Sequence, residues 1–203
     1  MLAFYMSMLS EKFNDYLKPT DLLIKIIWIS EFLTMGIYVF IAHVAGRSPE
    51  NTMAPELNMR LVCLFTLLGV AVTISSIIFH ALFLSPRAVA KFADGKMHPW
   101  MWTVICLDDV AGSYAACSEQ LASLPAEERI FYIYSRAALR LFLFFYAYMN
   151  TCAIFGMVLA IITRKPELCY PFIGCSAVLM LFYFPNLVKL IENAKTIEEY
   201  NAD

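Results

Sequence analysis

The chain has 203 residues, of which 61% are hydrophobic and 16% charged, with a formal net charge of −2 and a mean hydropathy of +0.65. A water-soluble domain carries about 25% charged residues, so the composition argues against a wholly soluble globule. Without a basic excess there is no support for nucleic-acid binding.

Residues 1–21 mix apolar side chains with Glu11, Lys12, Asp15 and Lys18. That interruption, with no small-residue cleavage pattern after it, predicts a cytoplasmic N-terminal segment rather than a signal peptide. Four long apolar runs dominate the rest: 22–45, 61–84, 141–163 and 170–190. About 20 mainly apolar residues cross a bilayer core as a helix, and each run meets that length. The predicted fold class is therefore all-α: an integral membrane four-helix protein. Two transmembrane hairpins, 22–84 and 138–190, are joined by a cytoplasmic or interfacial helical segment, 85–137, and followed by a cytoplasmic tail, 191–203. The second helix of each hairpin runs into proline, at Pro86 and Pro185, and then into more apolar helix with a lysine. A duplicated two-helix unit with parallel repeats leaves such a pattern, and so does chance.

Lysine and arginine beside the spans set orientation. Lys12, Lys18, Lys25, Arg87, Lys91, Lys96, Arg129, Arg136, Arg140, Lys189 and Lys195 fall on one face, against Arg47, Arg60, Arg164 and Lys165 on the other. The imbalance predicts both termini in the cytoplasm, in a bacterial inner membrane. It also puts Cys106 and Cys117 on the reducing side, where a disulfide is not expected.

In the joining segment Asp94-Gly95-Lys96 reads as a turn. Trp100 and Trp102 follow His98-Pro99 and suit the headgroup level of a membrane, as an interfacial helix or a plug. A helix starting near Pro125 meets no breaker until 163, a length of ~58 Å. Arg129, Arg136 and Arg140 share one face of it, flanked by Phe131, Tyr132 and Tyr134. This face contacts phospholipid headgroups or docks a partner subunit.

Four polar residues stand out inside the runs. Glu31 lies near the middle of the first span, where a carboxylate marks an ion path, a proton relay or a tight polar contact. One form of that contact is a protonated Glu31 hydrogen-bonded to another helix. His80, near the cytoplasmic end of the second span, and His43, near the outer end of the first, lack a second histidine at metal spacing. Asn150 is placed to hydrogen-bond across helices among small residues.

The stretch from Asn150 to Ala160, Asn-Thr-Cys-Ala-Ile-Phe-Gly-Met-Val-Leu-Ala, resembles the ion-carrying helix of the rotary ATPase proteolipid (subunit c) family. It is also similar to bacterial four-span membrane proteins of unassigned function. The proteolipid resemblance implies an ion-binding carboxylate at the place held here by Asn150, which does not take up and release a proton. Glu31 would then be the relocated site. The glycine-rich partner helix of that family is missing, since 61–84 holds only Gly69.

No nucleotide-binding or hydrolase motif occurs, and no cysteine–histidine spacing suits a metal. Asp108-Asp109 reads as a solvated helix edge. The expected protein is a non-catalytic membrane subunit without cofactor or metal, packed against other integral membrane subunits and phospholipid. The alternative is a proton- or ion-translocating protein, or a ring-forming proteolipid-like channel, that uses Glu31. A third reading, a lipid-directed enzyme, would need His80, His98, Asp108 and Asp109 to gather at the headgroups.

Overall fold

The computed structural model describes residues 10–46, 55–93 and 124–202, and among these there is no strand. The elements in chain order are α1 (Glu11–Gly46), α2 (Pro55–Phe79), a π-helical turn (His80–Leu84), α3 (Pro86–Ala93), α4 (Ala126–Thr163), a 3-10 turn (Pro166–Leu168), α5 (Cys169–Phe182) and α6 (Leu187–Ala202). Trp100, Trp102, His98, Asp108, Asp109, Cys106, Cys117 and the Asp94-Gly95-Lys96 turn lie outside the described residues.

Among the described residues three helices are long and apolar enough to cross a membrane: Phe13–Ala45, Met59–Leu84 and Glu128–Thr163. Pro166–Phe182 and Leu187–Ile197 pass the same test only together, as a broken pair, which would make four. The continuous helix expected over 170–190 is thus corrected. α5 has 14 residues, about 21 Å, short of the roughly 30 Å hydrocarbon core. Proline explains the break. Pro185 donates no backbone N–H and clashes with the turn before it, and it pushes Phe184 out of the helical region. The second run is likewise interrupted. A π-helical turn ends in a bend at Ser85, and α3 starts afresh instead of prolonging α2.

Both restarts are capped alike. Ser85 Oγ accepts from the Ala88 N–H at 3.2 Å, with Pro86 in the first helical position. Asn186 Oδ1 accepts from the Lys189 N–H at 2.9 Å, one residue after Pro185.

The chain divides into two compact units. The first draws on Met1–Lys25, His80–Phe142 and Pro185–Asp203. Its helices are amphipathic. Phe13, Leu17 and Ile24 of α1, Phe92 of α3, Tyr134 of α4 and Ile191 of α6 are fully buried. Asp15, Lys18, Arg87, Lys91 and Lys189 face outward.

Two buried carboxylates in this unit cap helix ends. Glu128 accepts from the Ser10 N–H at 2.7 Å and the Ser10 hydroxyl at 2.6 Å, holding the start of α1. Asp21 Oδ1 accepts from the Leu187 N–H at 2.7 Å, holding the start of α6, while its Oδ2 pairs with Lys25 Nζ at 2.5 Å. The first-turn N–H groups of a helix have no intrahelical acceptor, so each acid satisfies an orphan donor.

The second unit comprises Ile26–Phe79 and Leu143–Phe184. Its surface is apolar: Leu33, Phe40, Leu67, Phe144, Leu181 and Phe182 are all well exposed. Within it α1 and α4 run parallel, because Glu31 meets Asn150 and Ala45 meets Arg164, each pair 119 residues apart. Two glycines let α5 approach closely. A Cβ built on Gly156 would lie 2.6 Å from Phe172 Cβ and 3.0 Å from the Cys169 carbonyl oxygen, and one on Gly69 would lie 3.0 Å from the Phe172 ring. Phe172 therefore occupies the space that both missing side chains leave. Trp28 ties α1 to α5 by donating its indole N–H to Met180 O at 2.9 Å.

Arg164 closes α4. Its φ of 60° is left-handed, and the Lys165 N–H reaches back to Ala160 O at 3.1 Å, the pattern of a Schellman motif.

Candidate functional site

α1 and α4 bring together two of the polar residues singled out in the apolar runs. Asn150 is 2% exposed, and Glu31 is half-buried. The Asn150 Nδ2 group donates to Glu31 Oε2 and, at 3.2 Å, to the main-chain oxygen of Glu31. Both amide N–H bonds are thereby used. Asn150 Oδ1 is buried and has no hydrogen-bond partner. Leaving an acceptor in that state costs about 1–3 kcal/mol, so the pair is set up for one more hydrogen. Ser30 and Thr34 do not supply it, since the Thr34 hydroxyl donates to Ser30 O at 2.8 Å.

A second polar contact joins α1 to α5. His43 Nδ1 lies 2.9 Å from Val39 O, and His43 Nε2 lies 2.9 Å from the Tyr170 hydroxyl. A carbonyl oxygen only accepts, so Nδ1 carries the hydrogen, and Nε2 shares a hydrogen bond with the Tyr170 hydroxyl. This histidine serves packing.

His80, Arg129, Arg136 and Arg140 belong to the first unit. His80 begins the π-helical turn and is half-buried. Arg129, Arg136 and Arg140 all face outward from α4, and Arg129 Nε donates to Leu124 O at 3.1 Å. The aromatic residues expected to flank them at a headgroup surface are core instead. Phe131, Tyr132 and Tyr134 are buried, and the Tyr134 hydroxyl donates to Phe83 O at 2.6 Å. The physical reason is the helix period for Phe131 and Tyr134, which point away from the arginine face into the bundle, whereas Tyr132 lies beside the arginines and is covered by the Tyr16 ring, 5.9 Å away.

Sequence reasoning missed a groove of about 310 Å³ in the second unit, bounded by Val62, Gly69, Thr73, Cys152, Phe172 and Cys175. Thr73 Oγ1 and Cys175 Sγ are 3.5 Å apart on its wall. Gly69 was visible in the sequence, but nothing there signalled that Phe172 packs against it. Among the described residues no three His, Cys, Asp or Glu side chains gather as a metal site.

No protein-family model matches the chain, and neither a curated protein nor a solved structure is similar to it. The reading of the site therefore rests on its geometry.

Proposed function

We propose that the chain is an integral membrane protein with four spans and both termini in the cytoplasm, acting as a non-catalytic subunit that packs in and anchors a larger membrane assembly. The observation that carries this reading is the reversal of surface between the two units. The first unit buries its apolar faces and presents charge. The second presents apolar side chains outward, and in the most apolar windows of Phe13–Ala45 and Met59–Leu84 only 11% of residues are buried. Water selects the first kind of surface, and lipid or another apolar helix tolerates the second. The exposed cations Arg87, Lys91, Arg129, Arg136 and Arg140 suit anionic headgroups near the cytoplasmic face.

Carbonate washing of membranes tests the span reading, with the protein expected to stay in the pellet. Reporters at residue 50 should read outside, and those at both termini inside. Gentle detergent extraction tests the assembly reading: a membrane partner is expected to co-purify at fixed ratio, and a lone monomer in every mild detergent would end it.

A second reading, passage of a proton or cation through Glu31, is favoured by its meeting with Asn150. Liposomes holding purified protein should then show a flux that Glu31→Gln abolishes.

A further inference from the structure

A carboxylic acid and a primary amide close a two-point ring when the acid is neutral. The amide N–H bonds to one carboxyl oxygen, and the acid O–H bonds to the amide oxygen. Half of that ring is present between α1 and α4. Asn150 Nδ2 already donates to Glu31 Oε2, and its second N–H is held by the Glu31 main-chain oxygen. The missing half is the bond that the buried, partnerless Asn150 Oδ1 requires. Oδ1 shares its carbon with Nδ2, and Glu31 Oε1 shares its carbon with Oε2. Closing the ring places Oε1 beside Oδ1. As two bare oxygens they repel, and with one hydrogen between them they bond.

We propose that Glu31 and Asn150 form an exchangeable proton site, in which a proton on Glu31 Oε1 is donated to Asn150 Oδ1. Loading adds one proton from water to the carboxylate and forms one O–H bond, and unloading returns that proton to water. No redox partner or metal is involved. The site rests on the membrane reading above, but on neither the assembly nor the flux reading.

On α1, Tyr38 lies two turns from Glu31 on the same helix face. α4 presents Tyr146, Tyr148 and Cys152 near Asn150, and the Tyr146 hydroxyl is committed to Tyr183 O at 3.0 Å. On α5, Ser176 donates its hydroxyl to Met149 O at 2.9 Å, next to Asn150 in the chain. Neither 141–163 nor 169–182 contains a lysine, arginine or histidine to balance a carboxylate.

The test is infrared spectroscopy of the full chain in lipid nanodiscs across a pH titration, on wild type, Glu31→Gln and Asn150→Leu. The expected result is a carboxylic-acid carbonyl band that comes and goes reversibly with pH, is absent in Glu31→Gln, and shifts in frequency in Asn150→Leu. Glu31→Gln should keep the wild-type unfolding midpoint, because an amide at residue 31 closes the same ring with Asn150. Should Asn150→Leu fail to fold, Asn150→Gln, which keeps the chemistry one methylene further out, replaces it and should also shift the band. The proposal is overturned if no Glu31-dependent band appears at any pH at which the protein is folded, or if the band ignores the change at Asn150. Carbonate extraction of the same membranes reads bilayer placement separately, so a loss of that reading is not mistaken for an empty proton site.

Discussion

Gly156 and Arg164 carry the sharpest predictions at the level of single residues. Alanine at Gly156 puts a carbon against the Phe172 side chain and the Cys169 backbone, and the backbone cannot swing aside. Gly156→Ala should lower stability in detergent by about 1–3 kcal/mol, read from a denaturation midpoint. Gly69→Ala should cost less, since only the edge of the Phe172 ring must yield. Arg164 combines strain with a useful contact. Its left-handed backbone costs a non-glycine residue about 1–2 kcal/mol, while its guanidinium donates to Ala45 O at 3.3 Å. Arg164→Gly loses the contact and the strain, whereas Arg164→Ala loses the contact alone. The glycine variant should be the more stable of the two by about 1 kcal/mol, and equal midpoints would contradict this. Glu31 and Asn150 were each visible in the sequence, because a polar group in an apolar run is conspicuous. Their meeting was not, since spacing along one helix says nothing about which residue of another helix lies opposite.

Elements were legible where one force dominates and illegible where two compete. The length of α4 follows from the absence of Gly and Pro between 126 and 155 and from near-continuous apolar side chains. The break between α5 and α6 was signalled by Pro185 but outweighed by the hydropathy of the run around it. The packing of α1 before residue 25 was hidden for another reason. Phe13, Leu17 and Ile24 mark a buried face, but a face does not name its partner. The capping acids test this organisation. Asp21→Ala frees the Leu187 N–H and leaves Lys25 without its carboxylate. The expected cost is about 1–3 kcal/mol, with faster hydrogen exchange in the first turn of α6. Unchanged exchange there would mean that α6 holds its start by packing alone.

Across the whole molecule, both halves deliver the same parts in the same order. Each has a long helix that supplies residues to both units, then a helix of the second unit, then a proline break and a capped helix of the first unit. If lipid surrounds the second unit, amide exchange in nanodiscs should divide the chain near residues 25 and 142. Slow exchange is expected throughout 26–46, 55–79 and 143–182, where the bilayer excludes water, and graded local opening in the first unit. A uniform profile would contradict the two-environment reading.

The 119-residue offset between Glu31 and Asn150 equals that between Ala45 and Arg164, so the acid and the amide lie level with each other on two parallel helices. In an isologous pairing of identical subunits, such a place sets like against like: acid on acid, or amide on amide. One continuous polypeptide removes that restriction. It lets a self-complementary position become a heterotypic one, with a single carboxyl facing a single carboxamide along the seam.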